Sequence, residues 1–294
     1  MPEVKEYASP NKPTWCPGCG NYGMWEALKR ALAQLEMDFT DYSIVWGIGC
    51  HGNGADFTVT AGFHALHGRA LPVASALSLV RPDLKVIVEM GDGDGYGLGM
   101  GHFAHALRRN VDLTCIAHNN QVYGLTTGQA SPTTEHLIKT VSTPSGVLEQ
   151  PANPIGLALS QGAPFVARGF AGDIPHLTEL YRKALSYPGF ALVDVFQPCV
   201  TWNKLNTFSW FRERVYKLEE SGHDASDRVA ALTLAMSAFD EMTCAPDECQ
   251  IPIGIFYFDA DVPSYNAGVP AASTSAWKRA ERPRDIAAVI DTLR

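Results

Sequence analysis

Leu84-Lys85-Val86-Ile87-Val88-Glu89-Met90 runs directly into Gly91-Asp92-Gly93-Asp94-Gly95-Tyr96-Gly97, and Val111 to Ala117 runs into His118-Asn119-Asn120-Gln121-Val122-Tyr123-Gly124. Both apolar runs read as buried strands, and Met100 to Arg109 between them has helical spacing. A strand, a helix and a second strand in that order put both polar loops at the same edge of a parallel sheet. The same alternation continues in both directions. Tyr42 to Gly49 reads as a strand, and Ala70 to Val80 as a helix that stops before Arg81-Pro82, where proline disfavours helical backbone. A helix from about Pro154, a short strand near Phe165, a helix Ile174 to Ser186 and a strand Phe190 to Phe196 follow. The fold class is therefore α/β, a parallel sheet flanked by helices on both faces, with ligands expected at the carboxyl ends of the strands.

Trp15-Cys16-Pro17-Gly18-Cys19-Gly20 reads as a loop feeding a helix that carries Trp25, Leu28, Leu32 and Leu35. Beyond Val200 the alternation weakens. Trp202, Trp210, Phe211 and Tyr216 crowd one stretch ahead of a single good helix, Ala225 to Met242. We divide the chain into an α/β domain, 1–199, and a C-terminal extension, 200–294. The extension either packs on the same core or docks as an arm on a partner subunit, since aromatics are enriched at interfaces.

The chain has 294 residues, 46% hydrophobic content and a net charge of −8. That suffices for a large core and argues against nucleic acid or an anionic membrane as partner. No apolar run approaches the roughly 20 residues of a membrane span, and the first residues lack an apolar signal core, so a cytoplasmic location is expected.

In the glycine-aspartate segment, glycines let backbone approach a diphosphate, while Asp92 and Asn120 offer hard oxygen ligands to a magnesium ion shared with it. Other glycine motifs fail on spacing. No register of Gly91 to Gly101 fits the dinucleotide fingerprint, no Gly-Lys-Ser/Thr is present, and a calcium loop starting at Asp92 would place Phe103 where glutamate is required. The arrangement is similar to the thiamine-diphosphate motif, Gly-Asp-Gly followed one strand later by Asn-Asn. That similarity implies Asp92, Asn120 and the Val122 carbonyl as magnesium ligands.

Cys16 and Cys19 form a Cys-x-x-Cys pair, Cys50 follows the first strand and Cys199 follows the strand Phe190 to Phe196. Four thiolates can bind zinc or a [4Fe-4S] cluster, and spacing does not separate the two. Cys115, inside a strand, reads as a core residue, and Cys244 and Cys249 as free thiols.

Taken together, Trp15 to Gly20, Gly47-Ile48-Gly49-Cys50, His67-Gly68-Arg69-Ala70, Gly91 to Gly95, His105 to Asn110 and Tyr123 to Thr133 resemble the β subunit of two-subunit 2-oxoacid:ferredoxin oxidoreductases. The resemblance implies a thiamine-diphosphate site lined by Ile48, Gly49, Cys50, His51, His67, Gly68, Arg69, Gly91, Gly93, Asp94, Gly124 and Leu125. It also implies one [4Fe-4S] cluster on Cys16, Cys19, Cys50 and Cys199. His64 is left structural. The implied reaction is coenzyme A-dependent oxidative decarboxylation of a 2-oxo acid, or its reversal, with electrons passing to ferredoxin. An α subunit, in an α2β2 assembly, is expected to supply the glutamate that activates the cofactor, so no catalytic acid or base is assigned in this chain. The run Leu137 to Pro154 is similar to that of chains using 2-oxoglutarate or a broad set of 2-oxo acids, a resemblance that implies 2-oxoglutarate, with pyruvate or broad 2-oxoacid use as the alternative. A different class, a non-oxidative thiamine enzyme with structural zinc, would usually need both thiamine-binding halves in a longer chain. Thr127 and His51 depart from relatives that carry lysine and serine there.

Overall fold

The computed structural model describes residues 2–240, 250–276, 278 and 291. The elements that position the site are, in chain order, α1 (Asn21–Gln34), β1 (Tyr42–Trp46), α2 (Gly54–Phe57), β2 (Phe63–His64), α3 (Ala70–Val80), β3 (Lys85–Gly91), α4 (Met100–Arg109) and β4 (Leu113–Asn119). Then come α5 (Pro154–Ser160), β5 (Phe165–Phe170), α6 (Ile174–Ser186), β6 (Phe190–Phe196), α7 (Phe208–Arg212), β7 (Val215–Lys217), α8 (Arg228–Asp240) and β8 (Ile251–Phe258).

The eight strands form one sheet in the order β2-β1-β3-β4-β6-β5-β8-β7. All pairings from β2 to β5 are parallel, and register matches Val88 of β3 to Cys115 of β4 and Cys115 to Leu192 of β6. Alternation within the strands sorts their side chains to two faces. Val86, Val88 and Met90 pack with Leu71 and Ala74 of α3 and Phe103 of α4. Ile87 and Ile116 pack instead with Leu28 of α1 and Leu177 of α6. Cys115 is a fully buried core residue on the first of these faces.

The strands expected up to Phe196 are parallel throughout, and the sheet continues beyond them: β8 pairs antiparallel to β5, and β7 lies beside it, so residues after Val200 extend the same sheet. Phe211 stacks on Phe196 at 4.6 Å between ring centroids, and α8 belongs to the same core as α5. The described part of the last expected helix is Arg228–Asp240, and Cys244 and Cys249 lie outside the described residues.

Two local differences shape the site. The first strand ends at Trp46 rather than Gly49, because the Ile48 N–H turns to the Asp94 carboxylate at 3.3 Å instead of joining the ladder. The glycine-aspartate segment is not an open loop. Gly93–Leu98 forms a turn of π-helix that leads into α4, a local widening frequent at functional sites. Asn110, at φ 50°, ends α4 in the left-handed conformation, and its side-chain oxygen accepts the Phe190 N–H at 2.7 Å.

Candidate functional site

The carboxyl ends of β1, β3, β4 and β6, four adjacent strands, converge on two contiguous cavities. The first holds about 150 Å³. Ile48, Gly49, Cys50 and His51 reach it from β1; Gly91, Asp92, Gly93 and Asp94 from β3; Asn120, Val122, Gly124 and Leu125 from β4. His67, ahead of α3, completes the wall with Tyr123 and Thr126. Gly68 and Arg69 are not on it. The Gly68 N–H donates to Asp94 Oδ1 at 2.7 Å from behind, and the Arg69 guanidinium lies 2.9 Å from His102 Nε2 at the start of α4.

Asp92 is buried at 2% exposure, and both the Ser131 hydroxyl (2.5 Å) and the Thr133 hydroxyl (2.6 Å) meet its Oδ2. Burial pushes its carboxyl up to about 6 against the lowering effect of these donors and of the Gly93 N–H. Thr133 also lies 2.9 Å from Asn119 Oδ1, and Asn119 Nδ2 reaches Asp194, which is paired with the buried Arg168 and accepts from the Tyr96 hydroxyl. The aspartate is thus held by a polar chain running across β4 to β5 and β6. Sequence reading did not find Ser131, Thr133, Asn119 or Asp194 as site supports. Asn119 stood in the Asn-Asn pair and Ser131 and Thr133 in the run Tyr123 to Thr133, but neither motif marked them as partners of Asp92.

Asn120 Oδ1 accepts the Val122 N–H at 3.1 Å, folding the end of β4 back toward Asp92. Gly93 has a steric reason to be glycine: a Cβ there would collide with the Tyr123 ring, whose hydroxyl donates to the Gly93 carbonyl at 3.1 Å. His51 is 3% exposed, and its Nε2 is buried without a partner. Burial first, then the nearby His118, His64 and His67, push its pKa well down, so its ring is neutral. Behind it, His118 bonds the buried Glu89 carboxyl and, at 2.9 Å, Asn21.

The second cavity, about 220 Å³, is bordered by Cys16, Cys19, Cys50 and Cys199 and shares Cys50, Asn120, Gly124 and Leu125 with the first. All four cysteines are free thiols. A Cβ on Gly124 would sit 3.4 Å from Cys199 Sγ and 3.8 Å from Cys50 Sγ, in ordinary contact with both, so these two sulfurs flank the same stretch of backbone at the end of β4. The Trp15 indole N–H donates to the Cys50 carbonyl at 2.6 Å and ties the Cys-x-x-Cys loop to the end of β1. Burial, with the neighbouring sulfurs, pushes Cys19 up to about 12 and Cys50 up to about 11. Burial therefore favours the thiol form of Cys19 and Cys50, and a positive centre beside them would favour the thiolates. Among the described residues, no three or more His, Cys, Asp or Glu side chains converge as a site for a metal ion. The sulfurs border a space instead.

The residues fit a diphosphate cofactor. The glycines at the ends of β3 and β4 give close backbone approach, an oriented carboxylate and side-chain amide stand together, and a neutral histidine has an orphaned ring nitrogen. Residues 20–195 match the thiamine pyrophosphate enzyme, C-terminal TPP-binding domain, and residues 199–274 match the C-terminal model of the pyruvate ferredoxin oxidoreductase β chain. Fold and cavity together define a thiamine-diphosphate-binding α/β domain. The chain is 43% identical over 292 residues to a 2-oxoacid:ferredoxin oxidoreductase β subunit of Sulfolobus sp, covering 95% of this chain and 94% of that one. It is also 43% identical over 199 residues to 2-oxoglutarate oxidoreductase subunit KorB of Mycobacterium tuberculosis, covering 68% of this chain and 53% of that one. A solved 2-oxoglutarate:ferredoxin oxidoreductase from Magnetococcus marinus, with 2-oxoglutarate, coenzyme A and succinyl-CoA bound, superposes with a TM-score of 0.87 at 35% identity, covering 100% of this chain and 96% of that one. The chain belongs to the 2-oxoacid:ferredoxin oxidoreductase β-subunit family.

Proposed function

We propose that this β subunit serves a coenzyme A-dependent 2-oxoglutarate:ferredoxin oxidoreductase, converting 2-oxoglutarate to succinyl-CoA and carbon dioxide, or running the reverse, with electrons exchanged with ferredoxin. The observation that carries the reading is the adjacency of the two cavities: a cavity that fits the cofactor shares Cys50, Asn120, Gly124 and Leu125 with one bordered by four cysteines. Asp92, Asn120 and the Val122 carbonyl would hold magnesium against the diphosphate, and Cys16, Cys19, Cys50 and Cys199 would hold a [4Fe-4S] cluster. When bound, thiamine diphosphate supplies the nucleophilic carbon and electron sink for decarboxylation, and the cluster an acceptor beside it. A set of sulfurs that borders a space suits a multi-atom cluster better than a single zinc ion. Gly93 and Gly124 admit the cofactor closely, neutral His51 offers a hydrogen-bonding nitrogen without adding charge, and Ile48 and Leu125 present apolar walls that displace water.

An α subunit, in an α2β2 assembly, would complete the thiamine and coenzyme A sites. A cytoplasmic location accords with the absence, among the described residues, of a helix long and apolar enough to cross a membrane. The match of 199–274 to the pyruvate ferredoxin oxidoreductase model supports pyruvate or broad 2-oxoacid use as a second reading.

The test is anaerobic purification with the α subunit, iron and sulfide analysis, and low-temperature EPR after addition of 2-oxoglutarate and coenzyme A. About four irons per β chain and a reduced-cluster signal with 2-oxoglutarate are expected. A signal with pyruvate alone would transfer the proposal to pyruvate. Zinc in place of iron, or a cluster indifferent to every 2-oxo acid, would overturn it.

A further inference from the structure

Gln197, the first residue after β6, is 1% exposed and lines the cysteine cavity next to Asn120, which borders both cavities. Its Oε1 accepts from Asn120 Nδ2 at 3.1 Å, and its Nε2 donates to Cys19 Sγ at 3.4 Å and to the Pro198 carbonyl at 3.0 Å. Both side-chain amides along this path have only one sensible orientation. Asn120 Oδ1 is occupied by the Val122 N–H, so its nitrogen must point at Gln197. A flipped Gln197 would set its oxygen against the Pro198 carbonyl, which also accepts the Gly20 N–H at 3.1 Å. The backbone holds the same residue in place, since the Gln197 N–H donates to the Asn119 carbonyl at 2.9 Å. A Cβ at Gly20 would fall 2.9 Å from Gln197 Cγ and 3.0 Å from Nε2, so the cysteine loop comes this close only because it carries glycine there.

We propose that Gln197 is a positioning residue that couples the cofactor cavity to the cysteine centre, fixing Asn120 on one side and tuning Cys19 by an N–H···S hydrogen bond on the other. The inference rests on the magnesium and cluster assignments proposed above. Hydrogen bonds to ligand sulfur stabilise the more negatively charged, reduced state of a cluster and raise its potential. The bond to Asn120 fixes the amide whose oxygen is the proposed magnesium ligand. One side chain therefore acts on two measurable quantities.

The experiment uses the assembled enzyme, purified anaerobically, and compares wild type with Gln197→Met and Gln197→Glu. Iron content, the cluster midpoint potential by redox titration, and thiamine diphosphate affinity at fixed Mg²⁺ are read separately, without turnover. Methionine removes all three side-chain hydrogen bonds. The reduction equilibrium is expected to shift about tenfold toward the oxidised cluster, about 59 mV to the negative, with weaker thiamine diphosphate binding. Glutamate at pH 8 still accepts from Asn120 but cannot donate to Cys19 and adds a negative charge beside it, so its potential should fall at least as far as that of the methionine variant, with cofactor affinity closer to wild type. If the methionine variant does not assemble, the glutamate variant alone carries the test. Wild-type potential in every variant that retains its iron would overturn the coupling. Wild-type enzyme without iron would instead fail the cluster assignment itself, which the wild-type iron analysis distinguishes.

Discussion

Thr133→Val tests whether the hydroxyl chain sets the aim of Asp92. The Thr133 hydroxyl has one proton and stands 2.6 Å from Asp92 Oδ2 and 2.9 Å from Asn119 Oδ1. Valine keeps the shape and removes the donor, leaving Ser131 as the only side-chain hydroxyl on that oxygen. A hydrogen bond to a charged group is worth about 1.5–3 kcal/mol. If all of that served to hold the carboxylate in its ligating orientation, magnesium-dependent thiamine diphosphate binding would weaken by about 10- to 150-fold. Because Ser131 remains, a loss of about tenfold, near 1.4 kcal/mol, is expected. The assay is a Mg²⁺ titration at fixed thiamine diphosphate followed by calorimetry, alongside denaturant unfolding to record the change in stability. Thr133→Ser, which restores the hydroxyl, should bind like wild type. A valine variant that loses stability yet keeps wild-type magnesium and cofactor affinity would refute the reasoning, because Thr133 would then support the fold without orienting Asp92.

Asp92→Ala should abolish measurable Mg²⁺ dependence of thiamine diphosphate binding, and unchanged affinity in the same titration would remove Asp92 from the ligand set. Phe211→Ala, which empties a buried site against Phe196 and Phe170, should cost about 3–5 kcal/mol in denaturant unfolding; a cost under about 1 kcal/mol would mean that residues after Val200 contribute little to the common core. Asp173 caps α6 by accepting the His176 N–H at 3.2 Å and pairs with Lys217 of β7 at 3.0 Å, so Asp173→Ala should cost about 1–2 kcal/mol at pH 7. Burial raises the Asp173 pKa, but Lys217 and the His176 N–H outweigh it and hold the carboxyl below its ordinary value of 3.8. A depressed folded pKa gives stability that is present above the unfolded value and lost as pH falls through the folded one. The difference between Asp173→Ala and wild type should therefore be full above about pH 5 and shrink below 3.8; a difference independent of pH would assign the effect to helix packing.

The sheet and the site differ in how much the chain says about itself locally. Ala70–Val80, Met100–Arg109, Ile174–Ser186 and Phe190–Phe196 have the bounds their periodicity predicts, because one-sided or two-sided burial of a helix or strand imposes a repeat on neighbouring residues. Asp92 and Asn120 were legible because each follows a parallel strand, and the carboxyl ends of adjacent strands necessarily lie together. The sequence alone also brought out all four cysteines that border the second cavity; their spacing left cluster and zinc open, and the family resemblance implied the cluster. Tertiary structure decided the rest. Ser131 and Thr133 reach Asp92, and Gln197 reaches Cys19 across 178 residues of chain, through closure of loops whose ends carry no shared pattern. Arg69 turned to His102 rather than to the cavity, and Ile251–Phe258 returned antiparallel to complete the sheet. Local periodicity records which face of an element is buried; it does not record what that face or the loop beyond it will meet, which is fixed only when distant segments compete for the same space and the same hydrogen-bond partners.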